Sequence, residues 1–407
     1  MDHTILSETR SLQGQEHFDW LIAPMTPESF FEAYWEKKPL HLSRNAPDRH
    51  ASLFSLEALD ELLGFSRTNT NVRTAWQGHS NSPVIWEGAH KTSICEMYDF
   101  YYQGQTIVVR NIHKRWPAIG KLCNAIACTL GCRVGTHLYA TPEASQGFGI
   151  HWDDHDIFAL QIEGEKEWCL YDSGPTLPRK SKNNREYLRQ VIEDPGDPAM
   201  EVLLKAGDLL YFPRGVIHRA RAQQAPSLHL TFGIYSVTWE DALIEALDAA
   251  KHPELEASLE PGFLAASLDP NQLASKLRPV IQEIRETVDF ESVNGLLAES
   301  VLNHIEAPPA GHFKNVCEHS EIQPDTRLEK RPGMVCYPLD SSEGCKLVFP
   351  GGSHFEPSNH RRALHFIAEH QAFRLDEIPE LSPKQAHVLV GTLLVKGLLQ
   401  AETESCM

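Results

Sequence analysis

Apolar positions along the chain fall into three textures. Over residues 20–64 they recur at helical spacing: Phe30, Phe31, Tyr34 and Trp35 share one face after Pro27, and Leu56, Leu59, Leu62 and Leu63 form a second stripe over about 55–64. Pro39 stops the first helix and Leu40-His41-Leu42 reads as a short strand. From about 104 to 237 the pattern becomes short β-rich runs at 106–112, 133–140, 156–162, 166–172, 201–205, 208–212 and 227–237, punctuated by Gly, Pro and Asp. One helix, about 116–131, interrupts them. Many strands without alternating helices predict a barrel or jelly roll.

After Thr238 the helical period returns. Thr238-Trp239-Glu240-Asp241 reads as a capping box ahead of Leu243, Ile244 and Leu247. Broad apolar stripes over about 270–288 and 290–305 suit a helical hairpin or a dimer interface. The clearest linker, Ala307-Pro308-Pro309-Ala310-Gly311, precedes an α+β segment with strands near 333–338 and 345–349 and a helical run at 382–399.

Composition narrows the class. The chain has 407 residues, 42% apolar and 23% charged, enough for two or three cores. The longest uncharged apolar runs fall short of a membrane span, and the polar N-terminus lacks an apolar signal region. Nine cysteines, none in a C-x-x-C pair, read as reduced thiols of a cytoplasmic protein. The net charge of −18 disfavours nucleic-acid binding and suits a basic partner. A solubility surface is the competing reading.

The segment richest in chemistry is His151-Trp152-Asp153-Asp154-His155-Asp156. In an extended chain, i and i+2 share a face, so His151 and Asp153 offer one imidazole and one carboxylate to a single ion. His218 closes the run Gly207-Asp208-Leu209-Leu210-Tyr211-Phe212-Pro213-Arg214-Gly215-Val216-Ile217-His218, on a strand expected to face the first pair across a barrel lumen. Two His and one carboxylate on one face of an octahedral ion leave three positions open, as in non-haem Fe(II) oxygenases. His155 shares the Asp153 face and is expected behind the metal or facing substrate. Lys166 follows Glu163-Gly164-Glu165, read as a turn that reverses the chain and returns the ammonium over the ligand strand; once buried it needs an anionic partner such as the distal carboxylate of 2-oxoglutarate.

Tyr34-Trp35-Glu36-Lys37-Lys38-Pro39-Leu40, Tyr139-Ala140-Thr141-Pro142, Ser145-Gln146-Gly147-Phe148-Gly149-Ile150-His151-Trp152-Asp153-Asp154, Gly164-Glu165-Lys166-Glu167-Trp168 and Ser227-Leu228-His229-Leu230-Thr231-Phe232 stand in order. Together they closely resemble the JmjC-type ribosomal oxygenases, cupin-like enzymes that use Fe(II), 2-oxoglutarate and O2 to hydroxylate a side chain of a ribosomal protein. The resemblance implies an α+β chain: a double-stranded β-helix catalytic domain with N-terminal helices over 1–238, a helical dimerisation region over 239–306 and a winged-helix-like domain over 312–407. It implies His151, Asp153 and His218 as iron ligands and Lys166 as the grip on the cosubstrate carboxylate. Tyr139, His137 and Ser227 complete the implied cosubstrate pocket. At 137 the animal members carry Asn, and Lys rather than Arg at 166 is more like the histidine-hydroxylating members than the arginine-hydroxylating ones.

The expected partner is a basic ribosomal protein, Arg or His being the residue modified, and the expected assembly a homodimer. The same chemistry on a peptide or a free or carrier-bound amino acid is the alternative; a metal-storage cupin is a more distant one. DNA is not an expected partner, because residues 311–407 carry 10 basic against 13 acidic residues and the 382–399 run offers only Lys384 and Lys396. Between His151 and Asp172 stand seven acidic residues and one basic one, Lys166, so the carboxylates not on iron are expected to rim the barrel mouth and steer a basic tail.

Overall fold

The computed structural model describes residues 12–65, 72–76, 86–87, 94–178, 193–250, 270–307, 312–318 and 322–401. They divide into two compact units, one running to Ser236 and one starting at Val237.

The strands of the first unit are β1 (Leu40–Leu42), β2 (Val72–Ala75), β3 (Trp86–Glu87), β4 (Thr106–Val109), β5 (Arg133–Thr141), β6 (Asp156–Tyr171), β7 (Met200–Lys205), β8 (Leu209–Phe212), β9 (Ile217–Arg221) and β10 (Ser227–Tyr235). All pair antiparallel in the order β1-β8-β6-β10-β5-β4-β2-β3, while β7 and β9 flank the second half of β6. This is the double-stranded β-helix: β6 serves one sheet with its first half and the opposing sheet with its second.

The runs 156–162 and 166–172, expected as two strands around a reversal, are therefore one strand of 16 residues. Gly164 bends the chain without turning it back. Its φ is +67°, and a Cβ there would stand 1.8 Å from the Pro226 carbonyl oxygen of the neighbouring strand, so only glycine fits the bend. Gly164→Ala should cost about 3 kcal/mol or more of stability, read as a shifted urea midpoint, because both the left-handed conformation and the contact oppose a side chain.

Just before the bend, the register with β10 slips: Leu228 pairs with Glu163 but His229 with Gln161, leaving Ile162 as an extra residue. An extra residue exchanges the two faces of a strand. Before it, odd-numbered Ile157 and Ala159 join the inner core; after it, even-numbered Trp168 and Leu170 join the same core. The slip is what points Lys166 inward and its neighbours Glu165 and Glu167 the other way.

The outer face of this sheet is covered by the N-terminal helices. Helix Pro27–Ala33 is capped by Thr26, whose Oγ1 accepts from the Ser29 amide at 3.3 Å. It buries Phe30 against Tyr211 and Phe158, at ring separations of 4.9 and 5.6 Å. Phe30 is thus core, while Phe31 and Trp35, half-buried, pack against it. Helix Pro117–Leu130 ends at Gly131, whose left-handed backbone leads into β5.

In the second unit the Thr238 box forms: its Oγ1 accepts from the Asp241 amide, and Asp241 Oδ2 accepts from the Thr238 amide at 2.7 Å. Helices Trp239–Ala250, Pro270–Thr287 and Phe290–His304 follow, then β11 (Arg327–Lys330), β12 (Tyr337–Asp340), β13 (Gly344–Phe349), β14 (Gly352–Pro357), β15 (Ala372–Arg374) and β16 (Leu399–Ala401) in two three-stranded sheets. Helix Phe290–His304 packs on β12 and β13. Gly295 lies so close to Leu339 that a Cβ would approach its Cδ2 to 2.8 Å, and Glu299 pairs with Lys346. The run 382–399 is helical only over Pro383–Val395. Gly397, at φ +81°, turns the chain into β16. Among the described residues no helix is long and apolar enough to cross a membrane, and no disulfide joins the described cysteines.

Candidate active site

His151, Asp153 and His218 converge at one end of the barrel, with a ligand atom from each within 4.8 Å of the others. The two histidines do not face each other across a lumen, as the separation in sequence suggested. They are paired backbone to backbone: the His218 amide donates to the His151 carbonyl at 2.8 Å, and the His151 amide to the His218 carbonyl at 3.1 Å. The bridge sets their rings 4.3 Å apart, and His218 Nε2 lies 3.7 Å from Asp153 Oδ2.

The tautomers are set by the same local device twice. His151 Nδ1 donates to the Gly149 carbonyl at 2.8 Å and His218 Nδ1 to the Val216 carbonyl at 3.0 Å, each two residues back. Each Nε2 therefore keeps its lone pair, the state in which imidazole ligates a metal. Burial, reinforced by the neighbouring His151, pushes His218 down to about 4, so it is neutral at physiological pH. Burial opposes ionisation of Asp153, but His151 and His218 overcome it and hold the carboxyl below its ordinary value. Two imidazoles with Nε2 turned to a common point and one carboxylate fit an octahedral divalent ion with open positions. The other such group among the described residues, Asp340, Cys345 and His365, already has a cation in place: Arg361 Nε is 3.1 Å from Asp340 Oδ1.

A cavity of about 280 Å³ opens beside the triad, and Lys166 lines it. Its side chain is 4% exposed and its Nζ donates to Thr141 Oγ1 at 2.9 Å. No carboxylate among the described residues pairs with it, and burial pushes its amine down to about 7. Two further buried polar atoms on the wall, Trp168 Nε1 and His229 Nδ1, have no hydrogen-bond partner among the described residues. Three polar groups without adequate partners around one cavity are costly unless a polar ligand completes them. A small dianion fits that need.

Of the other expected residues, Tyr139 lines the cavity, its ring stacked on His229 at 4.9 Å. Burial pushes its phenol up to about 12. His137 and His155 also line it. Ser227 does not: its Oγ accepts from Gln161 Nε2 at 2.8 Å, a buried contact that ties β10 to β6. The inward residues of β10 are His229, Thr231, Gly233 and Tyr235, alternate positions of the same parity as Ser227 but further along the strand. Trp168 follows from Lys166 by the same i+2 rule.

The acidic rim is corrected too. Among the described residues Asp153 is the one carboxylate on the cavity wall. Asp156 is fully buried beneath it, ion-paired with Arg214 at 3.0 Å and accepting from Tyr211 Oη at 3.2 Å. Glu163 accepts from the Leu56 amide and Glu167 from Gln223. These charges hold the fold together, and β6 alternation turns Glu165 and Glu167 away from the cavity.

Fold and site together define a cupin-type barrel in which a His-Asp-His group able to hold a metal ion stands beside a cavity lined by the buried Lys166. In sequence, residues 110–242 match the JmjC domain. The chain is 36% identical over 259 residues to Ribosomal oxygenase 1 of Gallus gallus, covering 61% of this chain and 41% of that protein. It is 35% identical over 248 residues to the bifunctional lysine-specific demethylase and histidyl-hydroxylase NO66 of Dictyostelium discoideum, covering 59% and 47%. It thus spans less than half the length of these relatives. In structure it resembles the Escherichia coli ribosomal oxygenase YcfD (TM-score 0.58, 18% identity, 93% of this chain and 98% of that one). A structure of YcfD with cobalt and 2-oxoglutarate is similar to the same degree (TM-score 0.57, 17% identity, 93% and 99%). Residues 110–242 thus match the JmjC domain, and the chain is similar to ribosomal oxygenases in sequence and shares the fold of YcfD.

Proposed function

We propose that this protein is an Fe(II)- and 2-oxoglutarate-dependent oxygenase that hydroxylates an Arg or His side chain of a basic ribosomal protein. The observation that carries the reading is the buried Lys166, short of an anionic partner, in the same cavity as a metal-competent His-Asp-His set. The names of the similar proteins support it.

In this reading His151, Asp153 and His218 hold the metal through Nε2, a carboxylate oxygen and Nε2. Lys166 and Thr141 take the far carboxylate of 2-oxoglutarate, Trp168 adds an N–H, and Tyr139 and His229 form a flat wall. Fe(II) with 2-oxoglutarate and O2 supplies an oxidation that converts C–H to C–OH and releases succinate and CO2. The chain's part is to align the target carbon, exclude water and fix the tautomers of its ligands. Incubation with Fe(II), 2-oxoglutarate and ribosomal proteins of the host should produce succinate and one +16 Da peptide. Turnover on a short peptide or amino acid with no shift on any ribosomal protein would assign the same chemistry to a smaller substrate, and absence of succinate in every case would end the reading.

The low Lys166 value carries a sign. The cosubstrate dianion takes the protonated amine, so above pH 7 binding must also take up a proton. Affinity of the Mn(II)-loaded protein for 2-oxoglutarate should fall as pH rises from about 7.5 to 9, approaching about tenfold per unit. Calorimetry in buffers of different ionisation enthalpy should show uptake approaching one proton; a flat profile would contradict the role of Lys166.

For the second unit we propose the homodimer. Trp239 (88% exposed), Leu243, Ile244 and Leu247 form an uncovered stripe on helix Trp239–Ala250, and Ile281 on helix Pro270–Thr287 is also exposed. Leu243→Glu with Leu247→Glu should convert a dimer to a monomer in light scattering at about 10 μM, since buried like charges prevent reassociation.

A further inference from the structure

Residues 34–40 follow helix Pro27–Ala33 and stand outside the lining of the cavity. The chain turns at Glu36: the Lys37 amide returns to the Tyr34 carbonyl at 2.9 Å, and φ at Glu36 is +55°. A long side chain is strained in that left-handed region and stays there only where its surroundings fix it. Two contacts do so. The Glu36 amide donates to Tyr211 Oη at 2.8 Å, and Glu36 Oε1 is ion-paired with Arg214 Nη1. Trp35 stacks on the Tyr211 ring at 6.0 Å and lays the turn against β8.

Both partners of Glu36 also hold Asp156. Tyr211 Oη donates to Asp156 Oδ1 at 3.2 Å. Arg214 Nη1 donates to Asp156 Oδ2 at 3.0 Å, and the Arg214 amide to Asp156 Oδ1 at 3.3 Å. Glu36, Tyr211, Asp156 and Arg214 thus close a ring of hydrogen bonds in which Asp156 is fully buried. Members of a buried, connected network support one another, so cutting one link loosens the rest.

The ring grips a turn that bears on the metal set. Arg214 stands in the turn 213–216, closed by the Val216 amide on the Pro213 carbonyl at 3.3 Å. Next along the chain, Gly215 donates its amide to the Asp153 carbonyl at 2.9 Å. Val216 then sets its carbonyl 3.0 Å from His218 Nδ1. The turn therefore touches two of the three candidate ligands, and Asp156 opens β6 directly after the third residue of the same motif.

We propose that Glu36, through Tyr211 and Arg214, is a positioning residue for the metal set: the ring it closes holds turn 213–216 in the shape that presents Asp153 and His218 to one ion, so that seating of residues 34–38 and metal affinity are coupled. The inference rests on the metal role that the oxygenase reading gives the triad. Such coupling is reciprocal: a seated Glu36 favours the ion by the same factor by which the ion favours a seated Glu36. A segment that merely packs on the barrel would be equally stable with and without the ion.

The test reads Co(II) affinity by absorption spectroscopy and, with and without Co(II), amide exchange over residues 34–38 by mass spectrometry. Glu36→Gly removes the carboxylate and suits the left-handed backbone, so the turn itself is not strained by the change. It should weaken Co(II) binding about fivefold or more. Glu36→Gln, which keeps an oxygen acceptor for Arg214, should recover most of the loss. Tyr211→Phe cuts the ring at its other arm and should act in the same direction as Glu36→Gly. In the unaltered protein Co(II) should slow exchange over residues 34–38 about fivefold or more, and in Glu36→Gly it should not. Unchanged Co(II) affinity in Glu36→Gly, or exchange over residues 34–38 indifferent to Co(II), would overturn the coupling even where the variant melts lower. No Co(II) binding by the unaltered protein would overturn it as well. Failure of the oxygenase reading is seen separately, as Co(II) bound through Asp153 but no succinate from any substrate with Fe(II).

Discussion

Lys166→Met is expected to remove most of the affinity for 2-oxoglutarate while raising the melting temperature. The two effects have one cause. Lys166 is 4% exposed, its ammonium donates to the Thr141 hydroxyl, and burial already pushes its amine down to about 7. Without a ligand, the ammonium is a buried charge short of a partner, and an apolar side chain of similar volume relieves the fold of about 1–3 kcal/mol. With the ligand bound, the same group makes a charge-assisted contact in a water-poor cavity, where loss of one partner costs about 2–5 kcal/mol, or roughly 30- to 4,000-fold in affinity. Calorimetric titration of the Mn(II)-loaded variant with 2-oxoglutarate and a thermal melt of the unliganded protein read the two effects separately. A variant that melts lower and binds as before would make Lys166 a structural lysine.

The second large effect is expected at the metal set. Asp153→Ala should abolish succinate formation and weaken Co(II) binding by at least about 100-fold, since even loss of a residue that only orients a ligand costs about 10- to 100-fold. His218→Ala should behave alike, because neither remaining pair encloses the ion from one side. The fold should survive both changes: the His151–His218 bridge is made by backbone groups that alanine retains. Absorption spectroscopy of the Co(II) form, with circular dichroism as the folding check, measures both. Full succinate formation by Asp153→Ala would sink the assignment of the triad.

The candidate ligands were legible because their grouping is largely local. His151 and Asp153 share a face by backbone geometry alone, and His218 stands at a strand entry marked by Pro213 and Gly215. The strand content from 133 to 235 was legible for the same reason, since alternation and turn residues are short-range signals. Lys166 was found, but through a reversal that does not exist. The actual cause is an unpaired residue at Ile162, invisible in sequence because a register slip is a relation between two strands. Ser227 has the parity of the inward residues His229 and Thr231, but it opens β10 and its hydroxyl is taken by Gln161, a tertiary contact that spacing alone does not show.

The seven acidic residues around the motif show the same division. By itself, the sequence determined the candidate ligand types, their spacing, the barrel class and the excess of negative charge. Only the tertiary structure decided that Asp156 is buried against Arg214, that Glu163 and Glu167 are spent on fold contacts, and that one carboxylate alone reaches the cavity. Charge and residue type are written one position at a time, whereas the direction a side chain faces is set by strand register and by what packs behind it.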